Sequence, residues 1–318
     1  MIPWGSFLSG INILLLWYLF TVNACYLLLL LLSAVELHSY LKRLRYGSYD
    51  LLFRDPQTPA LTVLMPAHDE AETIATSVRG ALNLNYPFFE VIVVNDGSTD
   101  RTLEVLRGEF QLVEAARSME ARIPTGRIRA NYRSLSAPNL LVIDKENGGK
   151  ADALNAGINA SRAPYFCTVD ADVILEEDAL LRVMRPVLED PEQVVAVGGI
   201  VRVANGCEVA HGRLLAPRLP AQPLALFQVV EYLRAFLGGR TGFSRINGLL
   251  IISGAFGVFA KKWAVAAGGY RTDTVGEDME LVCAMHALLR EMKVAYRIVF
   301  IADPVCWTEV PSSLKVLS

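Results

Sequence analysis

The first thirty-five residues carry no charged side chain, and this apolar stretch constrains the fold more than any other feature. A helix needs about 20 apolar residues to cross a bilayer, so residues 7–35 are long enough for one tilted span and too short for two. The basic leader that a secretory signal peptide requires does not precede them. We therefore expect residues 1–36 to form a transmembrane anchor, with a buried core helix as the alternative.

Basic residues follow this stretch at once and do not precede it. Lys42, Arg43 and Arg45 come directly after it, and no Lys or Arg lies before it. The positive-inside rule therefore predicts a single-pass protein of the cell membrane, with its amino terminus outside and the rest in the cytoplasm. Residues 37–58 mix apolar, aromatic and basic side chains, which predicts a juxtamembrane segment along the bilayer surface; a plain linker is the alternative.

Charge and cysteine content exclude two classes of function. Lys and Arg number 30 against 33 Asp and Glu, for a net charge of −3, so the chain lacks the basic field that nucleic-acid binding requires. The five cysteines are scattered and form no Cys-x-x-Cys pair, which argues against a disulfide framework or a zinc knuckle. A reducing compartment fits this usage best.

From residue 59 onward, short apolar runs alternate with helical stretches. This alternation predicts an α/β domain with a mostly parallel, Rossmann-like sheet and helices on both faces. We divide this domain into two parts, residues 59–204 and residues 205–318. Residues 111–138 have no clear period and are predicted to be a helix–loop insertion. The predicted strands are 61–65 (ended by Pro66), 89–94, 140–143, 165–169 and 194–203, and the predicted helices are 71–82, 102–110, 151–160 and 178–188.

Acidic residues follow the predicted strands at their carboxyl ends. Glu70, Asp96, Asp144 and the pair Asp170 and Asp172 all occupy such positions. In a parallel sheet these ends meet at one edge, where ligands bind. Because like charges in close proximity are unfavourable without a cation, the pattern predicts a divalent metal.

Asp170 and Asp172 are the sharpest local signal for that metal. Two carboxylates one residue apart at a strand end can reach one hard cation, and Mg²⁺ or Mn²⁺ prefers such ligands together with phosphates and water. The structural alternative is a turn or a helix cap.

Three further motifs suggest binding or catalysis, each with a structural alternative. Asp96 and Gly97 follow a strand, so Asp96 could accept a hydrogen bond from a nucleobase or ribose, or the loop could be an ordinary turn. Gly149 and Lys150 open a helix, which suits a phosphate or a simple cap. Asp278 begins another helix, where it could act as a general base or only complement the helix dipole.

Two apolar regions in the second half are open to two interpretations. Residues 223–237 and 243–259 could line an acceptor groove against the membrane, or could be buried core. His211 and His286 have no metal-spaced partners, and we interpret both as structural.

Taken in chain order, the motifs resemble those of the family 2 glycosyltransferases of GT-A fold. The resemblance is to the membrane-bound processive branch, which makes poly-N-acetylglucosamine, hyaluronan, chitin oligosaccharides and cellulose. Within this branch, the sequence is most similar to the poly-N-acetylglucosamine synthases. The resemblance covers about residues 60–311. The matching stretches are 63–70, 93–100, 149–155, 169–172, 253–257, 276–278 and 306–311.

The resemblance implies an inverting, metal-dependent hexosyltransferase. Its donor would be a UDP-sugar, its cofactor Mg²⁺ or Mn²⁺, and its acceptor a saccharide or a lipid-linked sugar at the bilayer, with possible membrane partner subunits. Residues 59–204 would bind the nucleotide-sugar, and residues 205–318 would bind the acceptor and carry the catalytic base. Asp278 would be the catalytic base, and Asp170 and Asp172 would bind the metal. The nucleotide-sugar would contact Pro66, Ala67, His68, Glu70, Asn95, Asp96, Lys150 and Asp170, and the acceptor side would include Gly254, Glu277, Trp307 and Glu309.

Two departures from the family pattern shape these expectations. Asn95 stands where many relatives have an aspartate, and the sequence stops at Ser318, where a Gln-x-x-Arg-Trp motif and further membrane helices would follow. We therefore expect a C-terminally truncated chain that binds nucleotide-sugar, elongates poorly and does not export polymer. The alternatives are transfer of a single sugar to a lipid or short acceptor, and a non-catalytic nucleotide-sugar-binding partner.

Overall fold

The computed structural model describes residues 4–46, 58–117, 119–210 and 213–313. Its first element is the long helix α1 (Trp4–Tyr46). Within it, Leu8–Lys42 is long and apolar enough to cross a membrane and contains an 18-residue stretch with a mean hydropathy of 2.1. Helix α1 continues through residues 37–46 of the expected juxtamembrane segment. Residues 47–57 of that segment, and His211, lie outside the described residues.

The body of the chain is one large mixed sheet with helices packed against it, together with a small two-stranded sheet. The large sheet has the strand order β3-β4-β5-β2-β1-β6-β11-β8-β12-β7, and the small one pairs β10 with β9. In chain order the strands are β1 (Leu61–Ala67), β2 (Phe89–Asp96), β3 (Leu112–Glu114), β4 (Ile128–Ser134), β5 (Leu140–Lys145), β6 (Tyr165–Val169), β7 (Ile174–Leu175), β8 (Val194–Val203), β9 (Glu208–Ala210), β10 (Arg213–Ala216), β11 (Phe256–Ala260) and β12 (Arg297–Thr308).

The helices fall between these strands, as the alternation predicts. After α1 they are α2 (Ile74–Leu82), α3 (Thr102–Phe110), α4 (Lys150–Ala160), α5 (Ala179–Glu189), α6 (Pro223–Leu233), α7 (Thr241–Arg245), α8 (Lys261–Ala266) and α9 (Glu277–Glu291). A π-helical segment, Arg234–Arg240, joins α6 to α7 without a break.

The four central strands β5, β2, β1 and β6 are parallel, which confirms the α/β fold class. Their side chains are largely buried on both faces, as in sheets covered by helices. Outside this core the sheet becomes mixed, because β11 enters antiparallel between β6 and β8. The carboxyl ends of the parallel strands still meet at one edge, where the candidate site lies.

Two local predictions are wrong. Residues 111–138 are not a helix–loop insertion, because they contain the antiparallel pair β3 and β4, which extends the sheet beyond β5. Pro66 does not end the first strand, since β1 runs on to Ala67. Pairing of β1 with β6 stops at Leu64, so Pro66 faces only one neighbouring strand, and an edge position tolerates its missing N–H.

Helix α1 docks on the body through its carboxyl-terminal half. The Ser33 hydroxyl donates a hydrogen bond to the Leu237 carbonyl, and Glu36 lies 3.3 Å from Arg245. The Tyr40 hydroxyl donates to Asp303. In contrast, the large apolar side chains from Leu8 to Leu31 are mostly exposed, so only the part of α1 nearest the body has a protein partner.

Candidate active site

An open cleft of about 570 Å³ lies at the carboxyl edge of the parallel strands. It is lined by most of the residues predicted to bind the nucleotide-sugar and the metal. Residues from four separate segments meet there, as expected for strands whose ends share one sheet edge. The lining residues are Pro66, Ala67, His68, Glu70, Asp96, Asn147, Gly149, Lys150, Asp170, Ala171 and Asp172.

Asp96 lies at the cleft, but its carboxylate is already engaged inside the protein. One oxygen lies 2.5 Å from the Lys145 ammonium and accepts from the Gly148 amide at 3.0 Å, and the other accepts from Gly149 at 2.7 Å. The glycine amides that would suit a phosphate thus bind Asp96 instead. The side chain therefore fixes the loop that leads into α4, and its predicted contact with uridine stays a prediction.

Asp69 fixes a second loop beside the cleft. Its carboxylate accepts hydrogen bonds from the amides of Thr99 at 2.7 Å and Asp100 at 3.2 Å. The Thr99 bond is the main reason why the pKa of Asp69 falls below its ordinary value. In this arrangement the loop after β1 is held against the loop after β2, which places His68 in the cleft wall, 2.9 Å from the Asp96 carbonyl.

Lys150 connects the donor side of the site with the residues around Asp278. Its ammonium lies 2.5 Å from Asp170, 3.9 Å from Glu277 and donates to the Gly254 carbonyl at 3.0 Å. Burial raises the pKa of the Asp170 carboxyl, and the charge on Lys150 partly offsets this effect. The lysine therefore ties together the ends of β6 and α9 and the segment that precedes β11.

The acidic pair fits a divalent cation that also binds phosphate. Asp170 and Asp172 both line the cleft, and Asp172 is exposed. Among the described residues no group of three or more His, Cys, Asp or Glu forms a metal cage. Mg²⁺ is typically held by one or two carboxylates, with substrate phosphates and water completing its coordination, so the donor set suits a metal that arrives with a diphosphate.

Asp278 lies in the first turn of α9, beside Gly254. A Cβ atom placed on Gly254 would lie 3.7 Å from the Asp278 carboxylate. The loop before α9 is held by Asn155, which bonds both the amide and the carbonyl of Tyr270 at 2.8 Å. Helix α4, which carries Asn155, thereby holds the segment that leads to Asp278.

Arg240, at the end of the π-helical segment, is the second charged group near Asp278. Its guanidinium lies 4.1 Å from the centre of the Phe236 ring. Its buried Nη1 has no hydrogen-bond partner within the described part of the chain. Burial lowers the pKa of Arg240, and the charge of Asp278 opposes that shift. A buried donor of this kind is available to an oxygen of a ligand.

Six predicted site residues do not line the cleft. Gly254 and Glu277 contact Lys150 and Asp278 lies beside Gly254, whereas the other three make different contacts. Asn95 is buried, 2% exposed, and donates to Asp144 at 2.7 Å, so the geometry gives its predicted nucleotide contact no support. Trp307 is also buried and donates to Glu176 at 2.6 Å. Glu309 is exposed just beyond the end of β12. The acceptor-side roles of Trp307 and Glu309 stay predictions.

Sequence reasoning missed the ion network beneath the cleft. Lys145 is fully buried and lies within 2.5 Å of Asp96 and 2.6 Å of Asp152. Its third donor bonds the Glu146 carbonyl. Because Lys145 sits among charged and polar neighbours in the sequence, it resembles an exposed loop residue, and no local pattern reveals its burial.

Comparison with known proteins gives the site a family context. A family model described as "Glycosyl transferase family 2" matches residues 62–231. The poly-beta-1,6-N-acetyl-D-glucosamine synthase of Staphylococcus aureus is 28% identical over 255 residues, covering 80% of this chain and 51% of the synthase. The chain thus spans about half the length of the curated relatives that it matches.

Two solved structures are similar in fold. The mannosyltransferase PcManGT from Pyrobaculum calidifontis, in complex with GDP-Man and Mn²⁺, matches with a TM-score of 0.56 and 20% identity, covering 91% of this chain and 70% of its own. Residues 1–349 of S. aureus TarS, in complex with UDP, match with a TM-score of 0.50 and 17% identity, covering 79% and 60%. Both support the fold of the domain.

Proposed function

The chain belongs to glycosyl transferase family 2, and on this basis we propose that it transfers a hexose from a UDP-sugar to a growing saccharide. The observation that carries the proposal is the position of Lys150, which joins the acidic pair on the donor side to Gly254 and Glu277 beside Asp278. N-acetylglucosamine is the proposed sugar, supported by the product named for the staphylococcal relatives. UDP as the carrier is supported by the nucleotide bound to TarS.

The proposed reaction is a direct displacement with inversion at the anomeric carbon. Asp278 accepts the proton of the acceptor hydroxyl, whose oxygen bonds to the anomeric carbon as the bond to UDP breaks on the opposite face. A base at one end and positive charge at the other act on the same in-line transition state. Asp170 and Asp172 would hold a divalent cation, Mg²⁺ or Mn²⁺, whose charge neutralises the departing diphosphate. Lys150 would add a second positive charge there.

We further propose that α1 anchors this enzyme in the cell membrane with a single pass. The candidate span Leu8–Lys42 and the basic residues after it support an outside amino terminus and a cytoplasmic catalytic domain. The acceptor would then be elongated at the cytoplasmic face of the membrane. Transfer of one sugar to a lipid-linked acceptor is the alternative, and the length of the product would distinguish it.

The decisive variant is Asp278→Asn in the full chain reconstituted into lipid nanodiscs. We expect transfer from radiolabelled UDP-N-acetylglucosamine to fall by roughly 10²- to 10⁴-fold, the usual contribution of a general base. UDP binding should stay unchanged, because Asp278 lies away from the donor contacts. Glu291→Gln, at the far end of the same helix, is the matched control and should retain parental activity.

Two outcomes would contradict the proposal. Equal transfer by Asp278→Asn and the parent would remove Asp278 from catalysis. No transfer by either chain, with UDP still bound, would instead support a non-catalytic nucleotide-sugar-binding role.

A further inference from the structure

A second groove, separate from the cleft, lies between the end of β8, the loop after β10, helix α6 and Trp307. Its volume is about 300 Å³, at the lower end of the roughly 300–1,000 Å³ range of small-molecule pockets. Its lining is mostly apolar, and within the described residues the charged groups that line it are Arg202 and Arg218. Among the described residues, the lining contains no carboxylate or amide side chain with which a sugar could form paired hydrogen bonds. The lining favours a ligand with an apolar chain.

The apolar lining continues onto the outer surface of α6. Val229, Tyr232 and Leu233 line the groove, while Phe227 and Val230 point outward and are 73% and 60% exposed. At about 100° per residue, these positions form one continuous apolar arc around the helix, without a polar break between groove and surface. An apolar chain could therefore pass from the outer surface into the groove without crossing a polar rim.

The helix that carries this outer surface continues into a segment that packs against α1, the proposed membrane span. Within the continuous helix formed by α6, the π-helical segment and α7, a Cβ atom on Gly238 would meet Leu30 of α1 at 3.3 Å, and one on Gly242 would meet the carbonyl of Leu29 at 2.6 Å. Gly238 and Gly242 are about one turn apart, yet they meet adjacent residues of α1. The helix therefore crosses α1 rather than running along it, near the end of the exposed apolar stretch of α1.

We propose that the groove binds an acyl chain of an anionic membrane phospholipid. The proposal requires that α1 spans the bilayer, but it is independent of sugar transfer. Arg218 forms an ion pair with Glu208 at 2.5 Å, which offsets its charge. The guanidinium of Arg202 lies 5.4 Å from the centre of the Trp307 ring, so Arg202 supplies the positive charge at the groove. Positive groups near a bilayer surface attract anionic head groups, which favours an anionic phospholipid over a zwitterionic one.

Native mass spectrometry of the full chain tests the proposal. The protein would be released from nanodiscs that contain equal amounts of phosphatidylglycerol and phosphatidylcholine, and the retained lipids counted. Val229→Trp fills the groove from the α6 side, whereas Val230→Trp places the same side chain on the outer surface and is the matched control. We expect about tenfold lower phosphatidylglycerol occupancy in Val229→Trp, since excluding about two methylene groups from apolar surroundings suffices for that change.

The parent and Val230→Trp should both retain phosphatidylglycerol in preference to phosphatidylcholine. Equal occupancy in the two tryptophan variants would overturn the proposal, as would equal retention of the two lipids by the parent.

A second measurement avoids dependence on a folded variant. Phosphatidylglycerol with a photoreactive group in its acyl chain should crosslink the unaltered protein at residues 217–219 and at Val229. Crosslinks confined to α1 and to the outer positions Phe227 and Val230 would show only surrounding bilayer lipid, and would equally overturn the proposal.

Discussion

At the scale of single residues, the candidate site depends on a charge network around the buried side chain of Lys145. Lys145 forms ion pairs with Asp96 and Asp152, and Asp96 in turn binds the amides of Gly148 and Gly149. All three ammonium donors have acceptors, as a buried charge requires. The network holds the loop that precedes Lys150. Lys145, which lies beneath the cleft, therefore helps to determine the position of the Lys150 ammonium group in the cleft.

Lys145→Met should destabilise the protein by about 3–5 kcal/mol, because removing one partner leaves two buried carboxylates uncompensated. Chemical unfolding in detergent, followed by tryptophan fluorescence, measures the change. Lys150→Met is the matched control: this lysine is 36% exposed, so its loss should cost no more than about 1 kcal/mol of stability. Equal unfolding midpoints for the two variants would contradict the role assigned to Lys145.

At the scale of elements, the junction between α1 and the crossing helix links the proposed membrane span to the candidate site. Leu237 of the π-helical segment accepts a hydrogen bond from Ser33 of α1, and the same segment ends at Arg240, near Asp278. π-Helical turns inside longer helices are frequently found at functional sites. One short segment therefore connects the proposed membrane span with the proposed catalytic base.

Gly242→Ala should loosen this junction, because its new methyl group would lie 2.6 Å from the Leu29 carbonyl. Overpacking against backbone costs about 1–3 kcal/mol, which exceeds the gain of about 1 kcal/mol in helix propensity. The nearest atom to a methyl on Gly239 would lie 4.0 Å away, so Gly239→Ala should be neutral or stabilising. Thermal unfolding in detergent compares the two, and an equal rise in Tm for both would contradict the close packing at Gly242.

At the scale of the whole molecule, both halves of the catalytic body build one sheet. Strands β11 and β12, from the second half, lie among β6, β8 and β7 of the first. The cleft and Asp278 consequently share a rigid support, although residues 170 and 278 are far apart in the chain. Helix α1 docks on this same body through Glu36 and Tyr40, which fixes the orientation of the site relative to the proposed membrane span.

The proposed orientation predicts opposite accessibility for the amino terminus and the catalytic body. An epitope tag placed before Met1 should bind antibody on intact cells, because the amino terminus is expected outside. Glu192 is exposed on the body, and the thiol of a Glu192→Cys variant should react with a membrane-impermeant maleimide only after permeabilisation. The parent chain gives the background labelling of the native cysteines. Labelling of the variant above that background in intact cells would contradict the proposed topology.

The sequence by itself determined the elements and the family. Hydrophobic periodicity is local, so strands such as Tyr165–Val169 and Val194–Val203 and the helix Thr102–Phe110 were predicted with their observed bounds. The motifs likewise indicated the family before any comparison, because glycines and carboxylates at strand ends are constrained by local backbone geometry.

Only the tertiary structure decided which neighbours those residues would meet. Residues 111–138 form an antiparallel extension of the sheet. The Asn95 side chain bonds Asp144 rather than lining the cleft, and Lys145 is buried between Asp96 and Asp152. Each outcome depends on contacts between segments distant in the chain. Pairing and burial of that kind arise from the packing of the whole domain, and a local pattern of residue types does not encode them.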